Sequence, residues 1–298
     1  MACHGALLND ASASAASPAG KIRALSDLVR PELPVTAGLC VLVGQVLALG
    51  AFPSAGEAFL GFLVGFLVSG SAMISNDYFD LEVDRVNHPG RPLPSGRVTV
   101  HELAALAIAF SVLGLLSAAL LGLPALALAL GIWALGLLYN WRFKESGLPG
   151  NLMVATSVAS TFVFGGVAVG AVNGAVLSFA ALAFVFDLAE EIAAGAMDLK
   201  GDEKRKVRTL ARLRGKSFAL RVSGALFAMF IALSFLPFVM GWLGVVYLVL
   251  IVIADAGLAY LALRLMRSET PEEGRGRMRQ LYLSLGLFIV AFIVSRLL

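Results

Sequence analysis

The segment Asn76-Asp77-Tyr78-Phe79-Asp80-Leu81-Glu82-Val83-Asp84 closes an apolar stretch with an amide and a series of aspartates at helical spacing. Asp77, Asp80 and Asp84 follow steps of three and four, so a helix carries them on one face, and Asn76, four before Asp80, joins them. An aspartate at the centre of a membrane helix costs roughly 2.5–3.5 kcal/mol, and less near the interface. Like charges on one stripe also repel unless a cation neutralises them. A second acidic group stands far downstream. Asp187, Glu190 and Glu191 lead into Asp198-Leu199-Lys200-Gly201-Asp202, and Asp187, Glu191, Asp198 and Asp202 advance by helical steps of four, seven and four. Both groups lie at helix ends on the same expected side of a membrane.

Two opposed carboxylate sets suit a hard cation. Mg²⁺ prefers oxygen ligands, keeps several waters, and is commonly held by one or two carboxylates plus substrate phosphates. Such a pair forms a clamp for a diphosphate, whose departure a metal stabilises as a Lewis acid. An allylic carbon can then ionise, because its cation is resonance-stabilised, while an apolar prenyl tail lies between helices or in lipid. Basic residues flank both sets: Arg85, Arg91 and Arg97 after the first, and Lys200, Lys204, Arg205 and Arg208 around the second. Lys144, just past Tyr139-Asn140, falls on the same side. Arginine suits bidentate phosphate contact and lysine acts as a point charge. Tyr139 is placed either to meet an acceptor or carbocation with its ring, or to pack at the interface.

The elements that must position these groups are membrane helices. The chain of 298 residues is 59% hydrophobic and only 14% charged, with a mean hydropathy of +0.86; soluble domains carry about 25% charged residues. Apolar runs of bilayer length recur throughout, at approximately 33–52, 57–79, 102–122, 124–141, 150–171, 174–195, 216–238, 240–266 and 278–297. The expectation is an all-α polytopic membrane protein with nine transmembrane helices. Backbone groups in lipid must satisfy one another within a helix or a closed barrel, and the alternating polarity of a barrel is absent. Residues 1–20, rich in Ala and Ser, are expected to form a flexible tail, and 21–298 a single membrane domain. Connections after the second, fourth, sixth and eighth segments carry Lys and Arg, whereas those near 53–56, 122–124, 171–174 and 239–241 carry none. That asymmetry predicts a multi-pass protein of the cell membrane, with the N-terminus and the site cytoplasmic and the C-terminus outside. The net charge of +3 reflects this sidedness. Without a basic stripe interleaved with exposed aromatics, nucleic acid is excluded as a partner. Cys3 and Cys40 make neither a disulfide framework nor a metal set.

The residues also resemble a family. Asn76 to Asp84 reads NDxxDxxxD, Arg91-Pro92-Leu93-Pro94-Ser95-Gly96-Arg97 is similar to the RP(I/L)PSG run of the UbiA prenyltransferase superfamily, and Asp198 to Asp202 resembles its second motif, DxxxD. Tyr139 to Asn151, with Lys144 and Gly147-Leu148-Pro149-Gly150-Asn151, resembles the family's connection after the fourth helix. The resemblance implies nine helices around a central cavity with a cytoplasmic cap formed by the loops after helices two and six. It implies Mg²⁺ held through a prenyl diphosphate by Asn76, Asp80 and Asp84 opposite Asp198 and Asp202, with those four aspartates catalytic. It further implies a substrate-binding set of Asn76, Asp77, Arg85, Arg91, Arg97, Tyr139, Lys144, Asn151 and Lys200. Within the superfamily the pattern is most similar to archaeal enzymes that join geranylgeranyl diphosphate to geranylgeranylglyceryl phosphate, forming the second ether of archaeal lipids. Glu190, Ala194 and Gly195 depart from that pattern, standing where Arg, Lys and Asp are expected. An aromatic acceptor, as in quinone or chlorophyll biosynthesis, therefore stays open beside the lipid one.

Two other classes of membrane protein share some of these features. A CDP-alcohol phosphotransferase also ends a motif in DxxxD but requires a DGxxAR run, which is missing. An ion-coupled transporter would use Asp77, Asp187, Glu190, Glu191 and Asp255 as a path. Transporters favour acids near the midplane on broken helices, whereas Asp80, Asp84, Asp198 and Asp202 gather at one face.

Overall fold

The computed structural model describes residues 18–197 and 207–297. Among the described residues every regular element is helical. A short helix, α1 (Pro18–Val29), precedes α2 (Glu32–Leu49), α3 (Ala55–Phe79), α4 (Leu81–Asn87), α5 (Val100–Leu120) and α6 (Leu123–Leu138). A wide π turn, Tyr139–Phe143, extends α6, and α7 (Leu148–Ala168) and α8 (Gly174–Met197) follow. The C-terminal part comprises α9 (Leu210–Arg214), α10 (Lys216–Ser234), α11 (Leu236–Val239), α12 (Val245–Met266) and α13 (Pro271–Leu297).

Among the described residues, eight helices are long and apolar enough to cross a membrane: α2, α3, α5, α6 with its π turn, α7, α10 with α11, α12 and α13. They correspond to eight of the expected segments. The sixth segment is α8, a helix of 24 residues that includes Asp187, Glu190 and Glu191. Helix starts follow their capping chemistry. Ser54 and Glu57 form a capping box at α3, and Thr99 and Glu102 form another at α5, satisfying backbone donors that have no partner within the helix.

The long helices pack in chain order, and α13 returns against α2 and α8, closing the series on itself. α2 and α7 also touch across the middle. That contact exists because both helices lack a side chain at the crossing. A Cβ at Gly44 would lie 2.3 Å from the Phe162 carbonyl oxygen, and one at Gly165 would lie 2.2 Å from that of Val41. Small residues that let backbones meet are the usual device of membrane helix packing. Away from the crossing, Ile108, Leu116 and Leu120 on α5, Val249 and Ile253 on α12, and Leu283 and Leu287 on α13 are exposed, an apolar surface suited to lipid. The lone acid of α12, Asp255, accepts a hydrogen bond from Ser234 Oγ at 2.7 Å, and Tyr247 Oη donates to the Ser234 carbonyl at 2.6 Å. This is a buried polar contact between neighbouring helices.

The structure departs from the sequence expectation at both ends. α1 begins at Pro18, within the stretch assigned to the tail, and residues 1–17 lie outside the described residues. It was not visible as an apolar run because only one side is buried: Ala24 and Leu28 pack against Ile74, Leu93, Val98 and Leu103, whereas Ile22 is exposed. α13 starts at Pro271, ahead of its apolar part, where Glu272–Arg275 and Glu273–Arg277 pairs support a charged helical turn. Because the α2–α7 crossing has no room for a side chain, Gly165→Val is expected to cost about 1–3 kcal/mol or more. Thermal unfolding in detergent measures it, and a midpoint equal to wild type contradicts the crossing.

Candidate active site

The first acidic motif straddles a joint. α3 ends at Phe79, Asp80 caps it with its N–H on the Asn76 carbonyl, and α4 starts at Leu81. The Asp84 N–H reaches the Asp80 carbonyl at 2.8 Å, so helical register runs nearly unbroken through the motif. The side chains nevertheless divide into two sets. Asn76 and Asp80 turn to Lys144, whose ammonium donates to Asn76 Oδ1 and Asp80 Oδ2, and Asn76 Nδ2 donates to the same Asp80 oxygen at 3.2 Å. Asp77 and Asp84 turn elsewhere. Arg30 donates to Asp77 Oδ1, and Arg91 lies 3.7 Å from that oxygen while donating to Asp84 Oδ2. Both carboxylates are 1% exposed, a burial that is tolerable only with a counter-charge at hand.

Lys144 reaches α3 because of the π turn before it. The Lys144 N–H bonds to the Tyr139 carbonyl five residues back, at 2.9 Å, and such one-turn widenings recur at functional sites. Asn140 Nδ2 ties the turn to α3 through the Ala72 carbonyl at 3.1 Å. Gly147 (φ +74°) then reverses the chain into α7 so closely against residue 208 that a Cβ would fall 1.9 Å from the Arg208 carbonyl oxygen. That approach brings the start of the 207–209 segment beside the turn, with the Arg208 N–H on the Glu145 carbonyl.

α8 supplies the facing acids. Asp187 and Glu190 are buried, and Glu191 is half-buried. Tyr282 Oη, from α13, donates to Glu190 Oε2 at 2.6 Å, and Asp187 Oδ2 is buried without a hydrogen-bond partner. Tyr139 lies within electrostatic range of Asp80, Asp187 and Glu191, and Lys144 within range of Glu191. The π turn thus stands between the end of α3 and the acidic part of α8.

Of the residues expected from sequence, Asn76, Asp80 and Lys144 come into direct contact, with Tyr139 beside them. Asp77, Asp84 and Arg91 form the adjoining group. Arg85 pairs with Glu82 at 2.7 Å on an exposed turn, and Arg97 with Asp27 at 3.0 Å and the Gly90 carbonyl at 2.8 Å; neither is drawn to Lys144 by these bonds. Asn151 is half-buried in the first turn of α7. Asp198, Lys200 and Asp202 lie outside the described residues. Arg30 and Tyr282 escaped the sequence reading. The available signal for Arg30 was its place on the basic side, directly ahead of the first span; Tyr282 gave none.

The donor chemistry fits a hard cation. Asn76 and Asp80 offer oxygens that already converge on a positive group. Among the described residues no three His, Cys, Asp or Glu side chains gather closely enough to hold a metal. One or two carboxylates completed by substrate phosphate and water is the habit of Mg²⁺.

An α-helical, multi-pass membrane protein with an acidic motif answered by basic side chains at one end of its bundle is the class these features define. Residues 37–290 match the UbiA prenyltransferase family; the chain belongs to that family and is an enzyme that transfers prenyl groups. It is 32% identical to digeranylgeranylglyceryl phosphate synthase of Thermococcus kodakarensis, over 93% of this chain and 99% of that one. A solved structure from work on digeranylgeranylglyceryl phosphate synthase in membranes matches with a TM-score of 0.74 at 28% identity, covering 93% of this chain and 98% of that chain. The structure of a UbiA homologue from Archaeoglobus fulgidus bound to GPP and Mg²⁺ shares the fold, with a TM-score of 0.72 at 22% identity over 92% of this chain and 100% of that one.

The Tyr282–Glu190 bond joins α13 to α8 in the interior, so Tyr282→Phe leaves a buried carboxyl without its donor. The expected loss is about 1–3 kcal/mol of stability, read as a lower unfolding midpoint in detergent; an unchanged midpoint refutes the bond's contribution.

Proposed function

We propose that this prenyltransferase takes a prenyl diphosphate with Mg²⁺ and passes a geranylgeranyl group to geranylgeranylglyceryl phosphate, closing the second ether of an archaeal-type membrane lipid. The observation that carries the reading is the Lys144 ammonium held by Asn76 and Asp80. A cation and an oxygen-donor set already meet there, so a metal-bound diphosphate finds both its phosphate partner and its metal ligands in one place. The sequence similarity to the Thermococcus kodakarensis synthase over most of both chains supports the acceptor.

In this reading Asn76 and Asp80 would hold Mg²⁺, with Asp84 from the adjoining group and with Asp198 and Asp202, which lie outside the described residues, completing the ligand set. The metal, when bound, offsets charge on the leaving diphosphate as a Lewis acid. Lys144 moves its hydrogen bonds from Asp80 to diphosphate oxygens, and Arg91 adds the fork geometry that suits phosphate. Arg85, Arg97 and Asn151, together with Lys200 from outside the described residues, would complete the substrate-binding set. The allylic C–O bond breaks with its electron pair staying on the diphosphate oxygen. The acceptor hydroxyl oxygen bonds to the freed carbon and releases its proton. Tyr139, beside Asp80 and the α8 acids, faces the developing cation. Preorganised charge of this kind is commonly the largest single contribution to catalysis. The Lys- and Arg-flanked helix ends support a cytoplasmic site and N-terminus with the C-terminus outside.

A second reading, an aromatic acceptor, has one observation in its favour. Glu190 is engaged by Tyr282, and with Ala194 and Gly195 nearby this part of α8 offers no cation to an acceptor phosphate. An assay of the purified protein in detergent separates the two. Labelled geranylgeranyl diphosphate is offered with geranylgeranylglyceryl phosphate or with 4-hydroxybenzoate, with and without chelator. Product with the lipid acceptor, lost on chelation, is expected. Product with neither acceptor, or turnover indifferent to chelator, overturns the proposal. Lys144→Met is expected to lower turnover by about 100-fold or more, the scale of losing one preorganised donor; wild-type turnover would remove Lys144 from the site.

A further inference from the structure

The buried acid of the first motif that Lys144 does not touch has its own machinery. Asp77 is 1% exposed, and its Oδ2 is buried with no hydrogen-bond partner. Its other oxygen accepts from Arg30 and lies 3.7 Å from Arg91. Arg91 in turn donates to Asp84. The side chains therefore alternate in sign, Arg30–Asp77–Arg91–Asp84, running inward from the end of α1 to the motif.

Arg30 is built into this place. It has φ +50°, the single positive φ at a non-glycine position among the described residues, and Pro31 follows it. A left-handed backbone at such a residue persists only where its surroundings hold it. α1 supplies that hold along its length. Ala24 and Leu28 are buried against Ile74, Leu93, Val98 and Leu103. Lys21 donates to the Arg97 carbonyl at 3.0 Å and to Glu102 at 2.6 Å, and Asp27 pairs with Arg97 at 3.0 Å. The C-terminal end of the loop that bears Arg91 is thus fastened to α1, and Leu93, two residues after Arg91, packs in the same cluster.

We propose that Arg30 and Asp77 are a positioning pair for the prenyl transfer proposed above, on which this inference rests: they set the placement of Arg91 and, through it, of Asp84, without touching substrate. With Arg30 neutralising Asp77, Arg91 divides its attraction and is presented to Asp84. Without Arg30, the uncompensated buried Asp77 draws Arg91 to itself, because breaking one side of a buried pair leaves a charge that must be met locally. The reading assigns Asp77 away from the substrate-binding set that the family resemblance implied.

Arg30→Ala, alone and combined with Asp77→Asn, separates this role from direct phosphate contact. Arg30→Ala is expected to lower kcat by about tenfold or more, with KM for the acceptor unchanged, because the lost charge balance acts on Asp84 rather than on acceptor binding. Adding Asp77→Asn, which removes the orphaned charge, is expected to restore kcat to within about threefold of wild type. Arg30→Lys, which keeps the charge, is expected to fall between. A second readout is the rise in unfolding temperature caused by geranylgeranyl diphosphate with Mg²⁺. It should shrink in Arg30→Ala and return in the double variant. If Arg30→Ala does not fold, the double variant decides alone: folded and active supports the pair, folded and inactive overturns it. A single variant as active as wild type, or a double variant as impaired as the single, also overturns it. Should wild type transfer to neither acceptor, the functional reading fails, and the diphosphate-induced temperature rise still judges the pair.

Discussion

The contact between Lys144 and the Asn76–Asp80 pair constrains more of this protein than any other. It joins residues from the end of α3 to the connection between α6 and α7, in a region where a carboxylate without a counter-charge is costly. Three local features are needed to make it: the Asp80 joint that carries helical register past Phe79, the π turn that aims Lys144, and the glycine that lets the chain reverse against residue 208. Each is ordinary alone. Together they bring an ammonium, an amide and a carboxylate to one point at the rim of an apolar bundle.

The same rule, that buried charge is answered by opposite charge or by a donor, orders the surroundings. Asp77 and Asp84 are met by two arginines, Glu190 by a phenol and Asp255 by a hydroxyl. The bundle contributes the low-dielectric frame that makes these contacts strong, and its α2–α7 crossing is close because glycines face one another rather than because large side chains interlock. Prenyl-transfer chemistry benefits from this division. A rim rich in paired charge handles the diphosphate, and the apolar interior and lipid-facing surface accommodate a hydrocarbon tail.

Much of this was readable from the chain. Asp80 and Asn76 stood out because acids at helical spacing are conspicuous at the end of an apolar run. Helix placement followed hydropathy closely, since a bilayer imposes one length on every span. Periodicity did not show how the motif's face is shared. It put Asp77, Asp80 and Asp84 on a common stripe, whereas the bend at Asp80 and the competing cations turn Asp77 and Asp84 one way and Asp80 another. α1 was invisible to hydropathy because its buried side is short and the opposite side polar. Arg30 could not be singled out from the other basic residues of its side, because its partner lies 47 positions away and nothing local announces it. The reach of Tyr282 to Glu190 is tertiary for the same reason.

The widened turn at Tyr139–Phe143 holds one residue more than an α-turn. Each helical residue advances about 100° around the axis, so removing one position there would swing the following ammonium roughly a quarter-circle off the α3 carboxylate. The cation's address is therefore tied to the turn and not to the residue count alone. A homologous chain that runs through this corner as a regular helix would have to carry its lysine one place earlier to serve the same aspartate. When such chains are aligned, a single-residue gap here marks a change of helical phase rather than a lost function.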